Sequence, residues 1–343
     1  PSTGDSTLLT GYADAGTTQG YTVTIEGSPY LVSTVYLIMA GDGVAGATDA
    51  NSKFTAMSIN GISYTKGEGA TTTTGTGVWG DRIQGQSVLE QGKNYLKVDN
   101  VVGSQIVIGN VLNSGGRGTM AGVQVVDAYT GTKHDVTLTT DGTWKGVGPV
   151  AWSPAWVDST AEAGTYASIT SNVAGGAILT IGTSESVTTD AVVLTGASTS
   201  DLTISGGSLN LIGPGILRID SADRTLTINS TLSGTVNIAG LGTLALGATT
   251  LNVGDTQDRA FLGTLKGIAG SHLVKKGSGK QSIAKLDLTT YLGTIDIQEG
   301  TLEIGSTFKT LVTDKVTATE NCQFVLNMMN DGGESTGAGV SII

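Results

Sequence analysis

"GTIDIQEGTLEIG", residues 293–305, alternates apolar and polar residues, breaks at Gly300, and then writes almost the same phrase again. Successive side chains of a strand point to opposite faces. Ile295 and Ile297 therefore share one face with Asp296 on the other, and Leu302 and Ile304 repeat the arrangement with Glu303 outward. Glu299 falls in the turn before Gly300. The stretch predicts two short strands, each with a buried and a wet face. It makes Asp296, Glu299 and Glu303 solvated carboxylates of a repeating scaffold, not reacting groups. Lys275, Lys276, Lys280 and Lys285, just upstream, are assigned to the wet face as well.

The same grammar extends outward from residue 134 onward: "GAILTIG", "DLTISGG", "SLNLIG", "RTLTINS", "GTVNIAG", "GTLALG" and "TTLNVG". A strand advances about 3.3 Å per residue, so short strands joined by a few turn residues make compact coils that can stack in parallel. One coil cannot bury its apolar face alone, and stacking supplies a continuous Ile/Leu/Val core. The predicted fold of residues 134–343 is a parallel β-helix. Upstream, the runs "GYTVTIEG", "YLVSTVYLIMA", "KFTAMSING", "NYLKVDN", "SQIVIGN" and "MAGVQVVDAY" are longer and separated by glycine-rich loops. This pattern predicts a β-sandwich over residues 1–133. No stretch holds helical spacing for three turns, and the fold class is all-β.

Composition agrees with a packed but weakly charged protein. Glycine accounts for 52 of 343 residues, yet there are only 5 prolines, 38% of residues are hydrophobic and mean hydropathy is +0.12, which is not a disordered composition. Charged residues make up 14%, with a net charge of −11 and a pI near 4.5. Such a surface repels phosphate backbones and disfavours nucleic acid as a partner. The same charge keeps copies apart near neutrality, and lowering the pH toward the pI is expected to promote self-association. The lone Cys322 excludes an intrachain disulfide and reads as a strand residue. No run approaches the length of a membrane span. The opening "PSTGDSTLL" lacks methionine and a signal peptide, and reads as a mature or trimmed form. Low charge, abundant Gly and Thr and scarce Cys suggest an exported, surface-associated protein.

Two resemblances sharpen this reading. The segment "LVKKGSGKQSIAKLDLTTYLGTIDIQEGTLEIG", residues 273–305, resembles the autotransporter-associated β-strand repeat. Lys276, Gly277, Gly279, Tyr291, Gly293, Gly300 and Leu302 fall on the family pattern, and Thr289 stands where that family favours Asn. The resemblance implies an exported β-helical passenger or surface scaffold and names no reaction. In the first domain, "SINGISY" at 58–64, "NYLKVDNVVGSQIVIG" at 94–109 and "GGRGTMAGVQVVDA" at 115–128 resemble the jelly-roll-like domains of exported bacterial proteins.

Residues able to carry chemistry are few. His134 and His272 are the only histidines, far apart in sequence, so a multi-histidine zinc site is not expected and a Ser-His-Asp triad would need one of them. "GSGK" at 277–280 lacks the full phosphate-loop spacing. No cofactor is required. Calcium has one candidate loop, "GDGVAGATDANS", where Asp42, Asp49 and Asn51 offer oxygen ligands without the spacing of an EF-hand. Trp144, Trp152 and Trp156 cluster where the second domain begins. They read as a cap over the end coil, or as a platform on which sugar rings stack.

Two functions from different classes follow. The first is a surface protein that binds mucin-type glycoprotein or another host glycan through its all-β scaffold. The second is an aspartic-type endopeptidase that degrades mucin at acidic pH, because the chain as a whole resembles exported aspartic-type mucin-degrading proteases of mucus-dwelling gut bacteria. The hallmark of aspartic peptidases is an apolar pair followed by Asp-Ser/Thr-Gly. "RIDSAD" comes nearest, with Asp220 and Ser221 but Ala222 in place of glycine. Asp255, followed by Thr256 and Gln257, is a further candidate. A working pair would share one proton between two carboxyls in contact.

Overall fold

The computed structural model describes residues 13–14, 21–39, 54–65, 95–113, 119–144, 150–151, 157–158, 164–286, 291–306, 316–329 and 335–342. Every regular element among them is a strand. The chain divides into two compact units, Pro1–Tyr129 and Thr130–Ile343. The change of grammar at His134 lies within the first strand of the second unit.

The first unit holds β1 (Ala13–Asp14), β2 (Tyr21–Ile25), β3 (Val32–Met39), β4 (Phe54–Ile59), β5 (Ile62–Thr65), β6 (Tyr95–Val102), β7 (Ile106–Asn113) and β8 (Thr119–Asp127). They form two antiparallel sheets, ordered β1-β8-β3-β6 and β2-β7-β4-β5. That order is the jelly roll, in which a folded-over double ribbon places strands from distant parts of the chain side by side. Alternation does the rest. Val35 and Leu37 of β3, Leu96 and Val98 of β6, Ile59 of β4 and Ile106 and Ile108 of β7 meet in one buried cluster drawn from both sheets. The β4–β5 hairpin turns at Asn60 and Gly61, both with positive φ (49° and 82°), the conformation that a two-residue turn matching strand twist requires. Asn60 Oδ1 also accepts the Val107 amide at 2.8 Å.

The second unit is a parallel β-solenoid of about seven turns. It opens with β9 (Thr132–Leu138) and β10 (Gly142–Trp144), followed by the short antiparallel pair β11 (Val150–Ala151) and β12 (Val157–Asp158). Three longer strands come next: β13 (Thr165–Ser171), β14 (Ala177–Leu194) and β15 (Leu202–Ile219). From there each coil contributes two strands. One row stacks β16 (Thr225–Ser233), β18 (Thr243–Leu246), β20 (Arg259–Gly267), β22 (Lys280–Lys285), β24 (Thr301–Ser306) and β26 (Gln323–Met329). The other stacks β17 (Thr235–Gly240), β19 (Thr250–Val253), β21 (His272–Lys275), β23 (Thr294–Ile297) and β25 (Val316–Ala318). Thr250, His272 and Thr294 occupy one register position, so across these coils the chain returns to the same place after 22 residues.

Stacking puts like on like. Leu202, Leu226, Leu244 and Leu265 form one inward column and Leu251, Leu273 and Ile295 another, all fully buried. Each such side chain contributes roughly 1.5–3 kcal/mol on leaving water, which is why the inward positions are nearly all apolar. At β14, β15 and β17 the opposite face is buried too, with Val193, Arg218 and Ala239 at one register position. The stack ends with a reversal: β27 (Ser335–Ile342) pairs antiparallel with β26.

Candidate functional site

The corner that follows β19, β21 and β23 carries the least expected chemistry of the described residues. Inward positions in these strands alternate, so Leu251, Leu273 and Ile295 are followed two residues later by Val253, Lys275 and Ile297. Lys275 thus stands in an aliphatic column. It is 0% exposed, and its assignment to the wet face is corrected; of the four lysines so assigned, Lys276 and Lys280 are partly exposed and Lys285 is exposed. Burial is tolerated because the turn curls around the side-chain head. Nζ donates to the carbonyl oxygens of Lys276 at 2.7 Å, Gly277 at 2.6 Å and Glu299 at 3.2 Å, matching three N–H groups to three acceptors. Gly254, at φ +97°, leaves the space, since a β-carbon there would lie 3.0 Å from Nζ.

Around this buried head the corner is zipped by charge. Asp255 Oδ1 accepts the Gln257 amide and Oδ2 accepts Arg259 at 2.9 Å. Asp258 Oδ1 accepts the Lys280 amide at 2.8 Å, and Lys280 Nζ pairs with Glu303 at 2.9 Å. Glu303 therefore faces outward as expected, engaged in a pair between coils. Asp296 accepts from Gln298, just past its own strand, and from Thr317 on the next coil.

Burial pushes Lys275 below the ordinary lysine value of 10.5, while Glu299, Asp255, Cys322 and Asp258 oppose the shift. The unfolded chain then keeps a proton that the folded chain has released, between the folded pKa and 10.5. Stability linked to Lys275 consequently rises with pH across that window. In urea titrations from neutral pH to 10.5, the wild-type midpoint is expected to gain on that of Lys275→Met. Tyr291, whose hydroxyl burial pushes up, and Lys97, held up by Asp99, titrate in both chains and cancel. A constant difference would show that Lys275 titrates as in water.

Tyr291 shows why that aromatic-x-glycine step exists. Its ring is 1% exposed and lies over Gly267 and Gly293, where any β-carbon would meet the ring.

The remaining sequence candidates fall in different places. Asp220, just after β15, is in a bidentate pair with Arg218, Nε to Oδ1 at 2.7 Å and the terminal nitrogen to Oδ2 at 2.9 Å. Both side chains are almost wholly buried, at 5% and 9% exposure. Both Asp220 oxygens are thus engaged by one guanidinium, and Asp255 likewise serves Arg259. Trp144 ends β10, pairs with Ile181 and sits at 4% exposure inside the solenoid core. Its indole is a filler of the first coils, and its faces are not open for a sugar to stack on. Trp152, Trp156, Asp42, Asp49 and Asn51 lie outside the described residues. No group of three His, Cys, Asp or Glu that could hold a metal occurs among the described residues.

Sequence reasoning missed one juxtaposition on the outer face. His272 Nδ1 lies 2.6 Å from Thr294 Oγ1. The signal was the 22-residue step, which places both at one register position; a histidine isolated in sequence is not isolated in a stacked coil. Cys322 is buried in the core, but it stands just before β26 and not within a strand as expected.

Fold and corner together define a class: a jelly-roll unit followed by a two-row parallel β-solenoid. Comparison with family models, with curated proteins and with solved structures finds no match.

Proposed function

We propose that this protein is an exported, surface-associated scaffold that engages mucin-type glycoprotein or another host glycan, without a cofactor and without cleaving its ligand. One observation carries the reading: two outward rows of the solenoid present uncharged hydroxyl and amide groups, one from each coil. Thr188, Asn210 and Ser233 share a register position on three coils. Asn210 donates to Thr188 at 3.4 Å and accepts from Ser233 at 2.9 Å. Thr225, Thr243 and Thr264 form a second such row. Strand spacing sets these groups about 4.8 Å apart along the stack, and neutral donors and acceptors suit sugar hydroxyls. The two aspartates that would serve a peptidase are engaged by arginines instead.

Immobilised protein is expected to retain purified mucin, and to keep it in roughly 1 M salt, where charge attraction is screened within about 3 Å. No mucin fragments should appear between the pI and neutral pH. Retention lost in salt would put an ionic surface in place of the neutral rows. Cleavage confined to acidic pH would replace the scaffold reading with an aspartic-type endopeptidase.

A further inference from the structure

The Lys275 corner has the makings of a binding site that already holds its ligand. Carbonyl oxygens normally find their partners in the strand ladders, and a side chain that satisfies one of them is common at turns. Three carbonyls converging on a single nitrogen inside an aliphatic column is a different arrangement. Two come from the turn that follows the lysine itself, and the third from the next coil. The preceding coil contributes Gly254, whose missing side chain makes the room. Three consecutive coils are therefore shaped around one N–H donor head. Val253 and Ile297, at the same register position above and below, show what the column holds where no such head is present.

We propose that the carbonyls of Lys276, Gly277 and Glu299 form an amine-recognition site, occupied here by the chain's own Lys275 and open to a small primary amine or ammonium ion when that side chain is cut back. Directional N–H donors, not charge as such, are what the site reads. Three converging oxygens match the three N–H donors of a primary ammonium, whereas an alkali cation, which carbonyl oxygens can also coordinate, needs more ligands than this corner offers. The carboxylates of Glu299, Asp255 and Asp258, which favour the charged lysine, add a favourable but less selective field. With Lys275 in place the site also ties neighbouring coils at this corner, because its acceptors belong to both.

The test uses the full chain with Lys275→Ala and Lys275→Met. Alanine leaves the three oxygens unpartnered and a space for solute; methionine fills the space without donors. Ammonium chloride or methylammonium chloride is expected to raise the thermal midpoint of Lys275→Ala by several degrees over potassium chloride at equal ionic strength. Neither should do so for wild type or for Lys275→Met. Equal rescue by potassium would mean that the oxygens take any monovalent cation or that salt acts generally, and either would overturn the proposal, as would Lys275→Ala matching wild type with no amine present. Should Lys275→Ala not fold in either salt, wild type decides by amine acetylation read residue by residue. A caged Lys275 must lag behind the outward lysines by a factor on the order of a hundred, since it reacts only through local opening. Labelling at the rate of its neighbours would sink the site. Both readouts are independent of mucin retention, so failure here leaves the scaffold reading standing, and the reverse holds too.

Discussion

Gly240→Ala will destabilise the solenoid by about 3–5 kcal/mol, far more than an ordinary surface substitution. Gly240 has φ +100°, a conformation that costs a residue with a β-carbon roughly 1–2 kcal/mol. The larger part comes from the stack. A β-carbon at Gly240 runs into the backbone of Ile219 on the preceding coil. The Ile219 carbonyl already accepts the amides of Leu241 at 2.8 Å and Gly242 at 3.1 Å. Moving it strains two buried hydrogen bonds, each worth about 1 kcal/mol or more when left unmade. The control is Gly175→Ala. Gly175 also has positive φ, at 86°, but nothing lies within 4 Å of its would-be β-carbon, so only the conformational cost of about 1 kcal/mol remains. Urea midpoints of the two variants should differ several-fold in their shift from wild type. Equal shifts would mean that the coils do not press on one another at this corner.

The second large effect is expected at Asp220. Exchanging it for Asn leaves the Arg218 guanidinium buried opposite a neutral amide, and breaking a buried pair in this way costs on the order of 3–5 kcal/mol. The pair itself is weaker evidence of stability than that figure suggests, because most of the loss is the penalty on the charge left behind. A double variant, Arg218→Met with Asp220→Leu, should therefore recover more than half of it. Val193 and Ala239, the register partners of Arg218, are apolar and buried, so the site accepts aliphatic groups. A loss below about 1 kcal/mol in Asp220→Asn would contradict the burial seen here. The same variant bears on function: cleavage activity that vanished with Asp220 would count as catalytic only if the fold survived the change.

Much of this architecture could be read from alternation. The inward columns are written as Leu and Ile at every second residue, and parity alone assigns Asp296 and Glu303 outward. Parity would have placed Lys275 inward as well, because it stands two residues after the inward Leu273. The expectation that lysine seeks water overrode the pattern, and no local signal announced the three carbonyls that would receive it. The Arg218–Asp220 pair is a similar case. Residues two apart on a strand share a face, and "RID" therefore offers a charge pair as readily as a catalytic aspartate. What lay beyond the sequence was contact between coils. His272 meets Thr294, and Gly240 meets Ile219, because the chain returns at a repeat that varies along the unit. The steps shorten from 24 residues, Leu202 to Leu226, to 18, Leu226 to Leu244, before holding at 21 or 22. Order within the jelly roll was similarly hidden, since strands that pair there are remote in the chain.

In a stack of coils the backbone hydrogen bonds run along the long axis, and this gives the 22-residue step a mechanical meaning. A load applied along that axis at the last coil opens bonds one after another, in a zipper, and is not shared among all of them at once. A 22-residue coil released lengthens the chain by about 75 Å of extended backbone, given roughly 3.4 Å per residue, against the single strand spacing it occupied. The solenoid would yield coil by coil, lengthening under tension while the coils still stacked keep their shape.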